Sequence, residues 1–359
     1  MRVTTVLLLS LVGCGRLGFG GVEGTVDEPG DNDTVGVEDN SSRAPYACES
    51  VASFATTNSA DVDLSIATTP TGATLFWVST AGGSLRGIDV AADRTASGVV
   101  VVRSGQGDRS AAAYIDGHLI ATVRSTTRAV VHDVPMPLAA GVEIGNFWGD
   151  NIPKLALLHA GPDRVMAASC SEIALHAFDT TWLGTENSYV RSASTSDHID
   201  TTGIDDSAFT VVSTDMGCIY EHATDRATSV RRTSPLPCGQ ARVAGEAGRV
   251  AMAFVDSSTV ELVVDDVATV TAANAVPIAA GSSPRVLQHG GRTWITYLDE
   301  SSQIVVGYLD AGTLLTRALA NVTAMPSAYE LAVFDGQPWV FGVDPATRNV
   351  YGRRLCEGT

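Results

Sequence analysis

Asp215, Asp256, Asp299 and Asp344 recur at separations of 41, 43 and 45 residues, each at the end of a hydrophobic, β-branched run, and Asp116 closes a further run of the same kind. A carboxylate in that position can accept hydrogen bonds from turn amides. Several of them on one face could instead hold a cation or recognise a ligand. Sulfur is the other reactive element: Cys14 ends an apolar N-terminal run, and Cys48, Cys170, Cys218, Cys238 and Cys356 are spread along the rest of the chain. None of the seven histidines has zinc-ligand spacing, and no G-x-S-x-G elbow marks a nucleophile. No metal or cofactor is expected.

The elements that must carry these residues are strands. Gly291–Asp310 reads GRTWITYLDESSQIVVGYLD, two aromatic and β-branched runs about a polar turn, which is a hairpin signature. The same pattern can be counted seven times, with first strands at 74–79, 110–115, 154–159, 209–213, 250–255, 293–298 and 338–343. In the clearest unit two more strands are legible, at 285–288 and 313–318. The 35 glycines and 6% aromatic content fit many short strands and tight turns.

A period of about 40 to 45 residues with four strands per repeat is the mark of propeller blades. The chain is therefore expected to be all-β, a β-propeller of seven blades of four antiparallel strands over residues 48–359, with six or eight blades as the alternatives. The last hairpin ends near Leu355 with no fourth strand after it, while Glu49–Ala55 is an unassigned strand-like run. The N-terminal run should supply the missing outer strand and close the ring.

That closure brings Cys48 to Cys356. Cys218 at a turn between second and third strands and Cys238 in the next inter-blade connection fall on one face, where a second bridge fits. Cys170 falls on the opposite face and is left over. An exported chain favours such bridges, although connectivity is not fixed by sequence.

Residues 1–13 pair Arg2 with an apolar run from Val3 to Val12, too short for the about 20 residues of a membrane-spanning helix. Leu11-Val12-Gly13-Cys14 resembles the lipobox of bacterial lipoproteins. The resemblance implies cleavage before Cys14 and acylation of its thiol. Gly15 in place of an aspartate implies the outer membrane as destination. Residues 14–47 carry seven acidic and no basic residues between Glu23 and Asp39, an expected disordered tether with a span of about 30 Å.

Two further resemblances are local. Ile144–Leu157, IGNFWGDNIPKLAL, resembles a degenerate FG-GAP calcium loop, but Asn146, Trp148 and Lys154 replace oxygen ligands, and calcium takes about six to eight oxygens. Ser213–Tyr220, STDMGCIY, resembles one Asp-box of sialidase-like propellers, with Ile219 and Tyr220 departing from it. Trp77, Trp294 and Trp339 stand at comparable second-strand positions and read as blade packing.

The balance of 40 acidic against 23 basic residues gives a net charge of −17, which excludes nucleic acid as a partner. The expected protein is a monomeric envelope lipoprotein, tied to the membrane through its lipid, whose propeller binds or scaffolds a protein or glycan ligand. The rival expectation is a glycan hydrolase or lyase, for which a funnel lined by acids, an arginine and aromatics would be the sign. The expected ligand face carries Asp116, Asp215, Asp256, Asp299 and Asp344, together with Trp182 and Tyr189 from an insertion at Thr180–Asp197.

Overall fold

The computed structural model describes residues 42–358, apart from 116, 126–127, 149–163, 170–171, 179–184, 192–195, 206, 215–216, 225–228 and 311. Those residues form strands, turns and short 3-10 segments, among them Ala272–Asn274.

Strand β1 (Tyr46–Thr56) opens the chain. Strands β2 (Val62–Thr69), β3 (Gly72–Ser79), β4 (Gly83–Ala91) and β5 (Val100–Gly107) make one antiparallel sheet in chain order. The next is β6 (Arg109–Ile115), β7 (His118–Ser125), β8 (Arg128–Val134) and β9 (Val142–Trp148). Strands β10 (Arg164–Ser169), β11 (Glu172–Phe178) and β12 (Thr185–Arg191) form a sheet of three. Then come β13 (Ser196–Ile204), β14 (Ser207–Thr214), β15 (Gly217–Ala223) and β16 (Ser229–Ser234). They are followed by β17 (Gly239–Glu246), β18 (Arg249–Asp256), β19 (Thr259–Asp266) and β20 (Val276–Ala280). The sixth sheet is β21 (Ser282–His289), β22 (Arg292–Leu298), β23 (Gln303–Asp310) and β24 (Thr313–Thr323). The last is β25 (Tyr329–Phe334), β26 (Gln337–Val343) and β27 (Asn349–Cys356), completed on its outer edge by β1.

The fold is a β-propeller of four-stranded antiparallel blades. Six such blades are present among the described residues, which corrects the expected seven; the β10–β11–β12 sheet has three strands. The count went astray between residues 100 and 200. The run at 110–115 is not a second strand but β6, the first of its sheet, and the run at 154–159 lies outside the described residues.

In the four-stranded blades β2, β6, β13, β17, β21 and β25 are innermost. β2 lies beside β6, β13 beside β17, β17 beside β21, β21 beside β25 and β25 beside β2. Second strands are covered by neighbouring blades on both faces, so β3, β14 and β26 read as near-continuous buried runs instead of alternating ones. The core accordingly sits between blades. Leu64, Leu75, Trp77 and Ile88 pack on Phe334, Trp339, Phe341 and Val350, and Phe209, Val211 and Tyr220 pack on Val250, Met252 and Phe254. Trp294 and Trp339 are each third in their strands, whereas Trp77 is sixth in β3, which corrects their expected equivalence; all three are buried.

Turn chemistry fixes the hairpin ends. Gly290 and Gly291 join β21 to β22 with φ of 62° and 75°, the paired left-handed geometry that matches the twist of a hairpin. At Gly217, φ is 124° and a Cβ would come within 2.0 Å of the Ser234 carbonyl oxygen, so only glycine fits that end of the β14–β15 hairpin.

The ring closes as the sequence predicts. β1 runs antiparallel to β27, with Tyr46 opposite Cys356 and Thr56 opposite Asn349, and Cys48 is disulfide-bonded to Cys356 with Cα atoms 5.8 Å apart. Arg94, from the neighbouring blade, reaches Glu49 on β1 at 2.7 Å and Asp335 at 3.0 Å, and stacks over Trp339. A second disulfide joins Cys218 to Cys238.

Candidate functional site

The innermost strand of a propeller blade turns its unpaired edge to the central channel, so polar residues along it have somewhere to go. Counting four residues back from the end of each inner strand gives Ser65, Ala111, Asp200, Arg242, Arg285 and Glu330, and all six line one central cavity of about 180 Å³. The ring has two halves. Ser65 and Ala111 are short; Asp200, Arg242, Arg285 and Glu330 are charged and follow one another round the axis.

Just beside this ring, side chains of one inner strand hold the backbone of the next. Asp63 accepts the Ser110 amide at 2.6 Å, Asp200 accepts the Val243 amide at 2.9 Å, Gln240 accepts the Ser283 amide at 2.6 Å and the Thr202 hydroxyl accepts the Gly245 amide at 3.1 Å. Inner strands of adjacent blades belong to separate sheets, so their facing amides need side-chain acceptors. A buried amide without one costs about 1–3 kcal/mol.

The two arginines are held differently. Arg285 is 5% exposed: its Nε pairs with Glu330 at 3.1 Å, Nη1 donates to the Ser283 and Pro284 carbonyls, and Nη2 donates to the Pro326 carbonyl at 3.0 Å. Its guanidinium also lies 4.7 Å from the centre of the Tyr329 ring. Burial opposes its charge, yet Glu330, Tyr329 and the more distant Asp63 and Asp200 outweigh this and raise its pKa. Tyr329 itself is pushed up to about 12 by burial. On Arg242, Nε and Nη1 are buried and donate to no protein atom among the described residues. Burial first and the adjacent Arg285 charge second pull its pKa down, against the attraction of Asp200, Glu330 and Asp63.

The expected ligand face has a different character. Asp299 accepts the Ser301 and Gln303 amides at 2.8 and 2.9 Å, and Asp344 accepts the Ala346 and Thr347 amides at 2.8 and 2.7 Å, so both carboxylates close their own turns. The Thr347 amide holds the Asp344 carboxyl below the usual range. Asp256 accepts the Ser257 hydroxyl at 2.9 Å. Asp215 and Asp116 lie outside the described residues; the run before Asp116 is the innermost strand β6, not a second strand as expected.

The expected insertion is also corrected. Thr185–Arg191 is strand β12, paired along β11 with Tyr189 opposite Ala174, and Asp197 falls within β13. Its mostly polar composition reads as loop, but an outer strand needs little apolar surface. Trp182, Cys170, Lys154, Asp150 and Cys14 lie outside the described residues, and of the FG-GAP-like stretch only 144–148 is described, as part of β9.

The residues that sequence reasoning missed are Asp200, Arg242, Arg285 and Glu330. Their signal was a charge repeating at 42, 43 and 45 residues within short strands. The channel has acids and arginines but no aromatic side chain among its described lining residues. Among the described residues no group of three His, Cys, Asp or Glu is placed to hold a metal, and no helix is long and apolar enough to cross a membrane.

No protein-family model matches the chain, and no curated protein matches it. Solved structures do. A structure titled "Streptogramin B lyase structure" superposes with a TM-score of 0.59 at 10% identity, covering 88% of this chain and 98% of that one. Kuenenia stuttgartiensis hydrazine synthase gives 0.57 at 15% identity over 84% and 98%, and the Dos1 propeller 0.53 at 13% identity over 87% of each chain. At these identities the likeness is one of fold, and what it shows is a β-propeller.

Proposed function

We propose that this chain is an exported lipoprotein, acylated at Cys14 and held at the outer membrane of a bacterial envelope, whose propeller binds a ligand and does not transform it. The observation that carries the binding role is the central cavity, with Arg242 in its wall, whose Nε and Nη1 make no hydrogen bond among the described residues. Both acids that line it have structural partners, Asp200 the Val243 amide and Glu330 the Arg285 guanidinium. A glycan hydrolase would need a pair of carboxylates free to act as acid and base or nucleophile. The lipid anchor and the tether at 14–47 rest on the sequence, as does the expectation of a monomer with a protein or glycan ligand.

Two measurements test this reading. Cells fed an alkyne-labelled fatty acid should label the wild-type protein, while Cys14→Ser should lose the label and leave the membrane fraction; an unlabelled wild type rejects the anchor. Immobilised full chain should capture a component of envelope extracts without altering it. Release of a cleaved glycan product would reject the binding role.

A further inference from the structure

We propose that the central channel is a receptor site for a small carboxylate-bearing molecule, with Arg242 as its anchor. This rests on the propeller being a binding module, and it names the chemistry of what is bound.

The channel ring is asymmetric. Ser65 and Ala111 leave room, and the charged half opposite supplies recognition around about 180 Å³. Given a water's share of about 30 Å³ in the liquid, that is on the order of six waters, the scale of a small organic acid.

The two arginines at equivalent ring positions are held differently. Arg285 stands at the same ring position one blade along; its Nε is ion-paired with Glu330 without a hydrogen bond, and its Nη1 and Nη2 donate to the Ser283, Pro284 and Pro326 carbonyls. Arg242 has Nε and Nη1 enclosed by protein and bonded to none of it among the described residues. A side chain placed only to join blades would resemble Arg285. Because Arg242 borders the cavity and Nε and Nη1 are tied to no described protein atom, its guanidinium can turn to fork onto the two oxygens of a carboxylate.

The neighbours select the charge of the guest. Asp200 and Glu330 flank the arginine pair in the ring, so a doubly charged tetrahedral anion would be repelled from both sides, whereas a singly charged planar carboxylate neutralises Arg242 alone. The net charge of −17 does not forbid this. Exposed charges are largely screened beyond about 8 Å at physiological ionic strength, and inside the channel the local groups decide.

The test uses the full chain in thermal melts and calorimetric titrations at matched ionic strength. The probes are acetate, lactate and succinate, with acetamide as the neutral analogue of acetate and inorganic phosphate as the tetrahedral anion. At least one carboxylate should raise the melting temperature, and acetamide and phosphate should not. Arg242→Gln should weaken that carboxylate by roughly tenfold or more, with Arg242→Lys between the two, because lysine keeps charge but loses the fork. If Arg242→Gln fails to fold, Ala111→Leu serves instead: it fills the open half, leaves Arg242 in place and should abolish carboxylate binding. Equal stabilisation of wild type and variant overturns the anchor, and a phosphate effect matching that of the carboxylates overturns the choice of anion. No effect from any carboxylate overturns the proposal; capture of an envelope component by the same preparation would then leave the binding-module reading standing.

Discussion

The Asp63 carboxylate on β2 accepts the backbone amide of Ser110 on β6 at 2.6 Å, and this bond crosses from one blade to the next. Ser110 also donates its hydroxyl to the Asp63 carbonyl at 3.1 Å, while Arg109 approaches the other carboxylate oxygen at 3.5 Å. Asp63→Ala removes the acceptor and leaves the Ser110 amide buried, at a cost of about 1–3 kcal/mol. Asp63→Asn, which keeps one acceptor oxygen, should cost less. Urea unfolding of the two variants checks the order; equal losses would show that charge, not the amide bond, matters there.

The Arg285–Glu330 pair should behave as a buried ion pair. Glu330→Gln strands the Arg285 charge, and removing one partner of such a pair costs about 3–5 kcal/mol. With the Glu330 side chain 17% exposed, the lower end of that range is expected. The double variant Arg285→Met, Glu330→Leu should recover much of the loss. A double-mutant cycle by denaturant unfolding measures both.

His132 predicts a pH dependence. Its ring is buried, Nε2 accepts a hydrogen bond from Arg103 at 3.3 Å, and burial first and the Arg103 charge second lower its pKa to about 4. The unfolded chain takes up this proton near pH 6.5 and the folded chain does not. Folding therefore keeps the full contribution above pH 6.5 and loses about 1.4 kcal/mol per pH unit from there down to about 4. His132→Gln should flatten this slope between pH 6.5 and 4 relative to wild type; parallel pH–stability curves would contradict it.

The Cys48–Cys356 bridge closes a sequence separation of 308 residues. On the chain-entropy view a loop of that length is worth about 6 kcal/mol, with measured values usually smaller. Cys48→Ser, Cys356→Ser should lower the melting temperature and expose β1 to protease first, because β1 is then held to its blade without a covalent tie, by strand pairing, the Arg94 and Arg354 pairs with Glu49 and the packing of Phe54 on Phe341. Limited proteolysis that cuts elsewhere before β1 would show that the bridge is not what secures the closure.

Much of the fold is legible in the sequence because second strands are buried on both sides. VAMAFV in β18 and TWITYL in β22 stand out as runs, and their spacing exposes the repeat. The need for an outer strand on the last blade likewise placed β1 and its cysteine. The phase slipped at Arg109–Ile115, where small residues of an inner strand imitate a second strand, and at Thr185–Arg191, where an outer strand is polar enough to pass for loop. The channel residues were invisible for a similar reason. Asp200, Arg242, Arg285 and Glu330 lie near hairpin turns, where charge ordinarily means solvent; only closure of the ring turns them toward one another.

Hydrogen–deuterium exchange of the full chain, with and without a ligand fraction captured from envelope extract, tests the central claim most directly. The account predicts slowed exchange in peptides spanning Asp200–Ile204, Arg242–Glu246, Arg285–His289 and Glu330–Phe334, the inner-strand segments around the channel. Protection confined to the turns at Asp256, Asp299 and Asp344, with the inner strands unchanged, would contradict it.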